Sequence, residues 1–174
     1  MKVVLVTGGF DPIHSGHIQY FKEAKKLGDK LIVGLNSDHW LTRKKGAPFM
    51  NLENRAIIIQ SLNMVDEVIM FNDEDDTSCH AIEQVLHHHE EVIFANGGDR
   101  IILNIPEYER FKDDERVKFV CNVGGDKTES SSWLLDKWKS PTTIRKWGYY
   151  KELYMGKGYK VKELVIKPFS CLSM

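Results

Sequence analysis

Short strand-like apolar runs alternate with helix-like apolar spacing along the first 138 residues of this chain. Lys2 to Thr7 encloses a continuous apolar run, Val3 to Val6, the pattern of a strand buried on both faces. Gly8 and Gly9 break it, and Ser15 offers a helix N-cap. Ile18, Phe21, Ala24 and Leu27 then recur at three-residue spacing, and Gly28 stands where a C-terminal glycine cap belongs. Leu31 to Leu35 reads as a second buried strand, residues 52 to 63 as a helix with Arg55 in its first turn, and Glu67 to Phe71 as a third strand. Residues 78 to 89 read as a helix, Glu91 to Ala95 and Val117 to Cys121 as two more strands, and Ser131 to Trp138 as a closing helix. Such alternation predicts parallel strands joined by helical crossovers, a doubly wound α/β sheet of five strands. Ligands of these sheets bind at the carboxyl ends of the strands, near the point where strand order reverses. The loop after the first strand is therefore where chemistry is expected.

The 174 residues suffice for one globular domain with a real core and are too few for two full ones. Twenty-four basic and 25 acidic residues leave a net charge of −1, so no basic excess points to nucleic acid and no acidic excess to a disordered tail. The apolar runs fall far short of the ~20 residues of a membrane-spanning helix. The N-terminus enters a strand at once and lacks the features of a secretory signal. Cys79, Cys121 and Cys171 are scattered and odd in number, which writes neither a disulfide framework nor a CxxC metal site. A reduced, cytoplasmic protein is expected. After Trp138 the pattern changes. The expected division is a domain over residues 1–138, a linker over 139–148 (K-S-P-T-T-I-R-K-W-G), and a β-hairpin within 149–174 that alternates around Gly156 and Gly158.

The informative loop is G-G-F-D-P-I-H-S-G-H, residues 8–17. Gly8 and Gly9 allow close approach of backbone to a ligand. His14 and His17 span the first turn of the predicted helix, where free N–H groups and the positive dipole end favour a phosphate. Gly16 leaves room for a nucleotide above that turn. Two imidazoles there can donate hydrogen bonds to phosphate oxygens, where charge grows in nucleotidyl transfer. The competing readings are a zinc pair, which would want a third ligand and a spacing of four, and a capped helix with two core histidines.

This string resembles the H-x-G-H signature of the cytidylyltransferase-like nucleotidyltransferase superfamily, nearest to glycerol-3-phosphate cytidylyltransferases and the nucleotidyltransferase domain of heptose-phosphate adenylyltransferases. Further blocks follow in the same order: L-G-D-K-L-I-V-G-L-N-S-D at 27–38, T-R-K-K-G at 42–46, N-R-A-I-I-I at 54–59, V-D-E-V-I at 65–69, N-G-G-D at 96–99 and E-S-S-S at 129–132. The resemblance implies a Rossmann-like fold and in-line attack of a substrate phosphate on the α-phosphorus of CTP or ATP, with pyrophosphate leaving. CTP is put first. The acceptor is a small phosphorylated sugar or polyol, magnesium comes mainly with the nucleotide phosphates, and the assembly is a homodimer. His14, His17 and Lys44 take the catalytic roles, with Lys44 and Lys45 on a mobile basic segment closing over the phosphates. Gly8, Gly9, Phe10, Asp11, Gly16, Lys45, Arg55, Asn96, Gly97, Gly98, Asp99, Lys127, Ser130, Ser131 and Ser132 are expected to contact nucleotide. Asp11 orients His14 or helps hold the metal, Lys127 stands where glycerol-phosphate enzymes carry arginine, and the serines either cap the last helix or form a second phosphate nest. Residues 147–154 and 158–168 resemble the opening strands of the cupin domain of type II phosphomannose isomerases, here truncated. A nucleotide-binding module without turnover is the alternative of a different class.

Overall fold

The computed structural model describes residues 1–98, 101–125, 129–139 and 141–171. The chain divides into two compact units, Met1–Glu129 and Ser130–Met174. The first is built on five parallel strands: β1 (Val3–Gly8), β2 (Lys30–Leu35), β3 (Glu67–Met70), β4 (Val92–Gly97) and β5 (Val117–Val123). Their order across the sheet is β3-β2-β1-β4-β5, so β1 and β4 flank the point where the winding reverses. Helices α1 (Ser15–Lys25), α2 (Asp38–Lys45), α3 (Leu52–Gln60), α4 (Cys79–Leu86) and α5 (Pro106–Phe111) fill the connections.

Strand alternation sorts the core into two layers. Val3, Leu5, Ile32, Val92 and Phe94 join Ala81, Ile82 and Val85 of α4 and Phe111 of α5 in one buried cluster. Val4, Val6, Leu31, Val33, Leu35 and Ala95 join Phe21 and Ala24 of α1 and Ile59 of α3 in the other. Neighbouring residues of β1 thus serve opposite faces, as a period of two demands, and both faces are covered because both are apolar.

The expected doubly wound sheet is present, with two helices that the apolar periodicity did not mark. Helix α2 is short and buries a single residue, Leu41, so it writes almost no stripe. Helix α5 is six residues opened by Pro106. The second unit holds α6 (Ser131–Lys139) and an antiparallel sheet of β6 (Thr142–Arg145), β7 (Gly148–Gly156) and β8 (Tyr159–Ile166), in that order. The hairpin expected within 149–174 is β7–β8. The segment read as a linker instead supplies a third strand, β6, because Thr142 to Arg145 pair antiparallel with Gly148 to Lys151. On one face of this sheet Glu152 pairs with Lys160 and Lys162, and the Lys162 ammonium lies 4.0 Å from the centre of the Tyr150 ring. No helix among the described residues is long and apolar enough to cross a membrane.

Candidate active site

Strand β1 delivers the glycine–histidine loop to the carboxyl edge of the sheet, and Phe10 fixes its path. Phe10 is held at φ 48° with its ring in the core, edge-on to His17 and Phe21. Only 6% of the residue is exposed, so the ring serves the core, and a nucleotide contact at this position would fall to the backbone. Gly8 and Gly9 are needed for internal packing. A Cβ on Gly8 would meet the Phe10 ring at 2.9 Å, and one on Gly9 would meet Leu41 of α2 at 2.7 Å. Gly16 faces the His14 ring, which a Cβ there would approach to 3.1 Å.

His14 is the N-cap residue of α1 and offers no side-chain cap, and no acidic residue lies in the first turn. The positive end of that helix favours an anion, and its own first turn supplies none. The His14 and His17 rings stack with centroids 3.7 Å apart. Burial, then the charge of His14, then that of Lys45, lower the His17 pKa to about 3, so His17 is a neutral imidazole at physiological pH. Its Nδ1 is buried with no hydrogen-bond partner among the described residues. Glu129 completes the rim: its Oε2 accepts the Ser15 hydroxyl at 2.8 Å and lies 4.0 Å from His14 Nδ1.

The depressed His17 pKa sets a pH dependence. Between about 3 and the ordinary histidine value of 6.5 the unfolded chain binds a proton at this site that the folded chain does not. Stability from this group is therefore complete above pH 6.5 and is lost as pH falls toward 3. Urea titrations at pH 7 and pH 4.5 are expected to show wild type losing more stability than His17→Gln, by a few kcal/mol at about 1.4 kcal/mol per pH unit. Parallel losses in the two proteins would refute the buried neutral imidazole.

Helix α2 is placed by a buried polar frame. Ser37 caps it, accepting the Trp40 N–H at 3.0 Å and donating its hydroxyl to Asp73 at 2.7 Å. Asp73, itself buried, also accepts the Ser37 N–H and the Asn36 amide. Arg43, in the last turn, donates to the Asp73 carbonyl and the Asp76 carboxylate. The basic segment expected to be a mobile loop is thus the last turn of a helix, closed by Gly46 at φ 88°. Its two lysines diverge. Lys44 is exposed, with its ammonium 4.3 Å from the centre of the Trp40 ring. Lys45 donates to the Asp11 carbonyl at 3.0 Å, acts electrostatically on His17, and has its pKa lowered chiefly by burial.

Two expected ligand contacts are engaged internally. Arg55 is 1% exposed and spends its guanidinium on the carbonyls of Met50, Gly9 and Asn36 and on the Asp38 carboxylate at 2.6 Å. That corrects the expected phosphate contact: Arg55 instead clamps the loops after β1 and β2, and Asp38 offsets its charge near the helix start. The Asp11 carboxylate accepts the N–H groups of Phe49 and Met50 at 2.6 and 2.8 Å, which anchors the approach to α3. Among the described residues, no cluster of three or more His, Cys, Asp or Glu side chains is placed to hold a metal ion.

Asn96 and Gly97 end β4 and Gly98 begins the turn after it, with Asn96 buried and Gly97 packed under Tyr20. Asp99 and Lys127 lie outside the described residues. Ser130, Ser131 and Ser132 belong to the second unit, where the Ser130 hydroxyl accepts the Trp133 N–H at 3.4 Å and caps α6. The structure therefore brings together His14, Gly16, His17, Asp11 and Lys45, and turns Lys44 and Arg55 elsewhere. The part played by Glu129 was missed, although it stands in the E-S-S-S block.

Comparison with known proteins bears on this arrangement. The family model described as cytidylyltransferase-like matches residues 5–139. The bifunctional protein HldE of Haemophilus influenzae (strain PittGG) is 40% identical over 119 residues, 59% of this chain and 25% of that protein. HldE of Escherichia coli O9:H4 (strain HS) is 38% identical over 122 residues, 61% of this chain and again 25% of its own length. The chain thus spans about a quarter of these curated relatives. Among solved structures, the lipopolysaccharide core biosynthesis protein from Thermoplasma volcanium GSS1 is similar at a TM-score of 0.55 and 31% identity, covering 70% of this chain and 96% of that one. A solved structure from Vibrio parahaemolyticus, 15% identical at a TM-score of 0.51, shares the fold.

Proposed function

The chain belongs to the cytidylyltransferase-like family of nucleotidyltransferases, and on that footing we propose that it transfers a nucleotidyl group from CTP or ATP to a small phosphorylated sugar or polyol. The observation that carries the proposal is the stacked pair His14–His17 at the N-terminus of α1, with Lys45 acting on His17. The acceptor's phosphate oxygen forms a bond to the α-phosphorus as the bond to the β-phosphate oxygen breaks, and pyrophosphate leaves. A phosphate nucleophile is already ionised at neutral pH, so no general base is needed and catalysis reduces to positioning and charge stabilisation. His17, neutral and partly buried, offers one ring N–H to the transferring phosphoryl. His14 takes the other side of that group, and Lys45 counters charge on the departing pyrophosphate. Magnesium would come bound to the triphosphate and would supply charge neutralisation there, since no cluster of three or more His, Cys, Asp or Glu side chains among the described residues is placed to hold it.

One feature of the reading differs from the sequence expectation. The lysine that serves the histidines is Lys45, with Lys44 held at Trp40. Lys45→Met is therefore expected to lower kcat/KM for the nucleotide about ten-fold more than Lys44→Met, the scale of one charge-assisted hydrogen bond. Equal losses would return the role to both. For the base, the sequence resemblance puts CTP first, with ATP as the alternative. The deciding experiment measures pyrophosphate release with magnesium, pairing CTP and ATP in turn with a panel of sugar and polyol phosphates. Release that requires one acceptor names both substrates. Nucleotide binding with no release across the panel favours a binding module.

A further inference from the structure

A second polar cluster lies at the end of β1, on the layer opposite α1. Thr7 shares a hydrogen bond of 2.8 Å with the Ser78 hydroxyl, and the Ser78 N–H donates to Glu107 Oε1 at 2.6 Å. Ser78 and Glu107 are 8% and 2% exposed, and no cation pairs with Glu107 among the described residues. Asn96 ends β4, the neighbour of β1; Leu5 pairs with Phe94, and two residues further along these strands come Thr7 and Asn96. Asn96 is 4% exposed. Two buried atoms at this edge have no hydrogen-bond partner among the described residues: Asn96 Nδ2, a donor, and Glu107 Oε2, an acceptor.

Buried polar groups are rarely left unmatched, and these two ask for opposite things. A cation would suit the carboxylate and be refused by the amide N–H. An anion would suit the amide and be repelled by the carboxylate. A neutral hydroxyl satisfies both, donating to one and accepting from the other. The location is also the expected one, because β1 and β4 flank the switch point where ligands of this sheet class enter. We propose that Thr7, Ser78, Asn96 and Glu107 form a hydroxyl-reading subsite for the polyol or sugar portion of the acceptor. The inference rests on the nucleotidyltransferase reading of the adjoining histidine loop and extends it: the loop handles phosphate, and this cluster requires that the acceptor be hydroxylated.

The test uses the full chain labelled with ¹⁵N, saturated with magnesium and the α,β-methylene analogue of ATP or CTP. The Asn96 side-chain amide is assigned by its loss in Asn96→Asp. Titration with glycerol 3-phosphate or glucose 1-phosphate is expected to move that amide saturably, whereas propyl phosphate, which lacks hydroxyls, leaves it in place. Glu107→Gln, which keeps the acceptor for the Ser78 N–H, is expected to weaken binding of the responding probe about ten-fold or more. Thr7→Val serves as a second variant should that one fail to fold. An amide that ignores both hydroxylated probes, or answers propyl phosphate equally, overturns the subsite and leaves a cluster matched by permanently bound water. The histidine ring signals in the same spectra separate the two levels: if the nucleotide analogue does not move them, the transferase reading fails first.

Discussion

His17→Ala is expected to leave a folded protein whose turnover falls at least about 10²-fold, the scale of removing one transition-state donor. The ring stacks on His14 and meets Phe10 edge-on, and burial keeps it uncharged. In such surroundings a hydrogen bond to a phosphoryl oxygen gains as charge accumulates there, so the loss falls on kcat more than on nucleotide KM. Truncation leaves a gap beside Phe10, which costs some stability but touches neither β1 nor the Arg55 clamp. Steady-state kinetics against both substrates, with thermal melts of both proteins, check the two halves. Near-wild-type kcat would take His17 out of the transition state, and a change confined to KM would make it a ground-state contact.

Arg55→Met is expected to be the most damaging single substitution in the first unit, costing about 3–5 kcal/mol. It removes the donor that three carbonyls and Asp38 share from inside the protein. Those carbonyls belong to the loops after β1 and β2 and to the approach to α3, so they would be orphaned together. Urea unfolding gives the measurement. If Arg55 were a phosphate ligand, the same substitution would raise nucleotide KM and leave the denaturation midpoint unchanged. Both an intact midpoint and a raised KM would be needed to restore that role.

Comparing the two residues shows what the sequence could disclose. The histidines were legible because their signal is local: a strand, two glycines, and imidazoles three apart in a first turn. Arg55 was read from the same kind of local context, near a helix start, and that context is silent about Asp38, seventeen residues away, and about the carbonyl of Gly9. Its role is set by tertiary partners, which periodicity cannot supply. The strands were legible for the same reason as the histidines, since burial on both faces writes an unbroken apolar run. Helix α2 escaped because it buries only Leu41, yet its ends are written plainly, with Ser37 before it, Asp38 in its first turn and Gly46 after its last. Capping residues would have found it where hydrophobicity did not. Glu107 is invisible for a further reason: a glutamate following proline at the start of a helix looks like a solvated one, and only the fold reveals that it is buried.

The last turn of α2 works as an angular index. Successive residues of an α-helix point about 100° apart, and here three successive cations are sent to three addresses: Arg43 to Asp76, Lys44 to Trp40, Lys45 to Asp11. Gaining or losing one residue between Ser37 and Arg43 would rotate all three together, aiming the wrong lysine at the histidines and taking the arginine off its carboxylate. Exchanges of side chain at an exposed position such as Thr42 leave the phase untouched. This surface segment is therefore constrained more tightly in its length than in its composition.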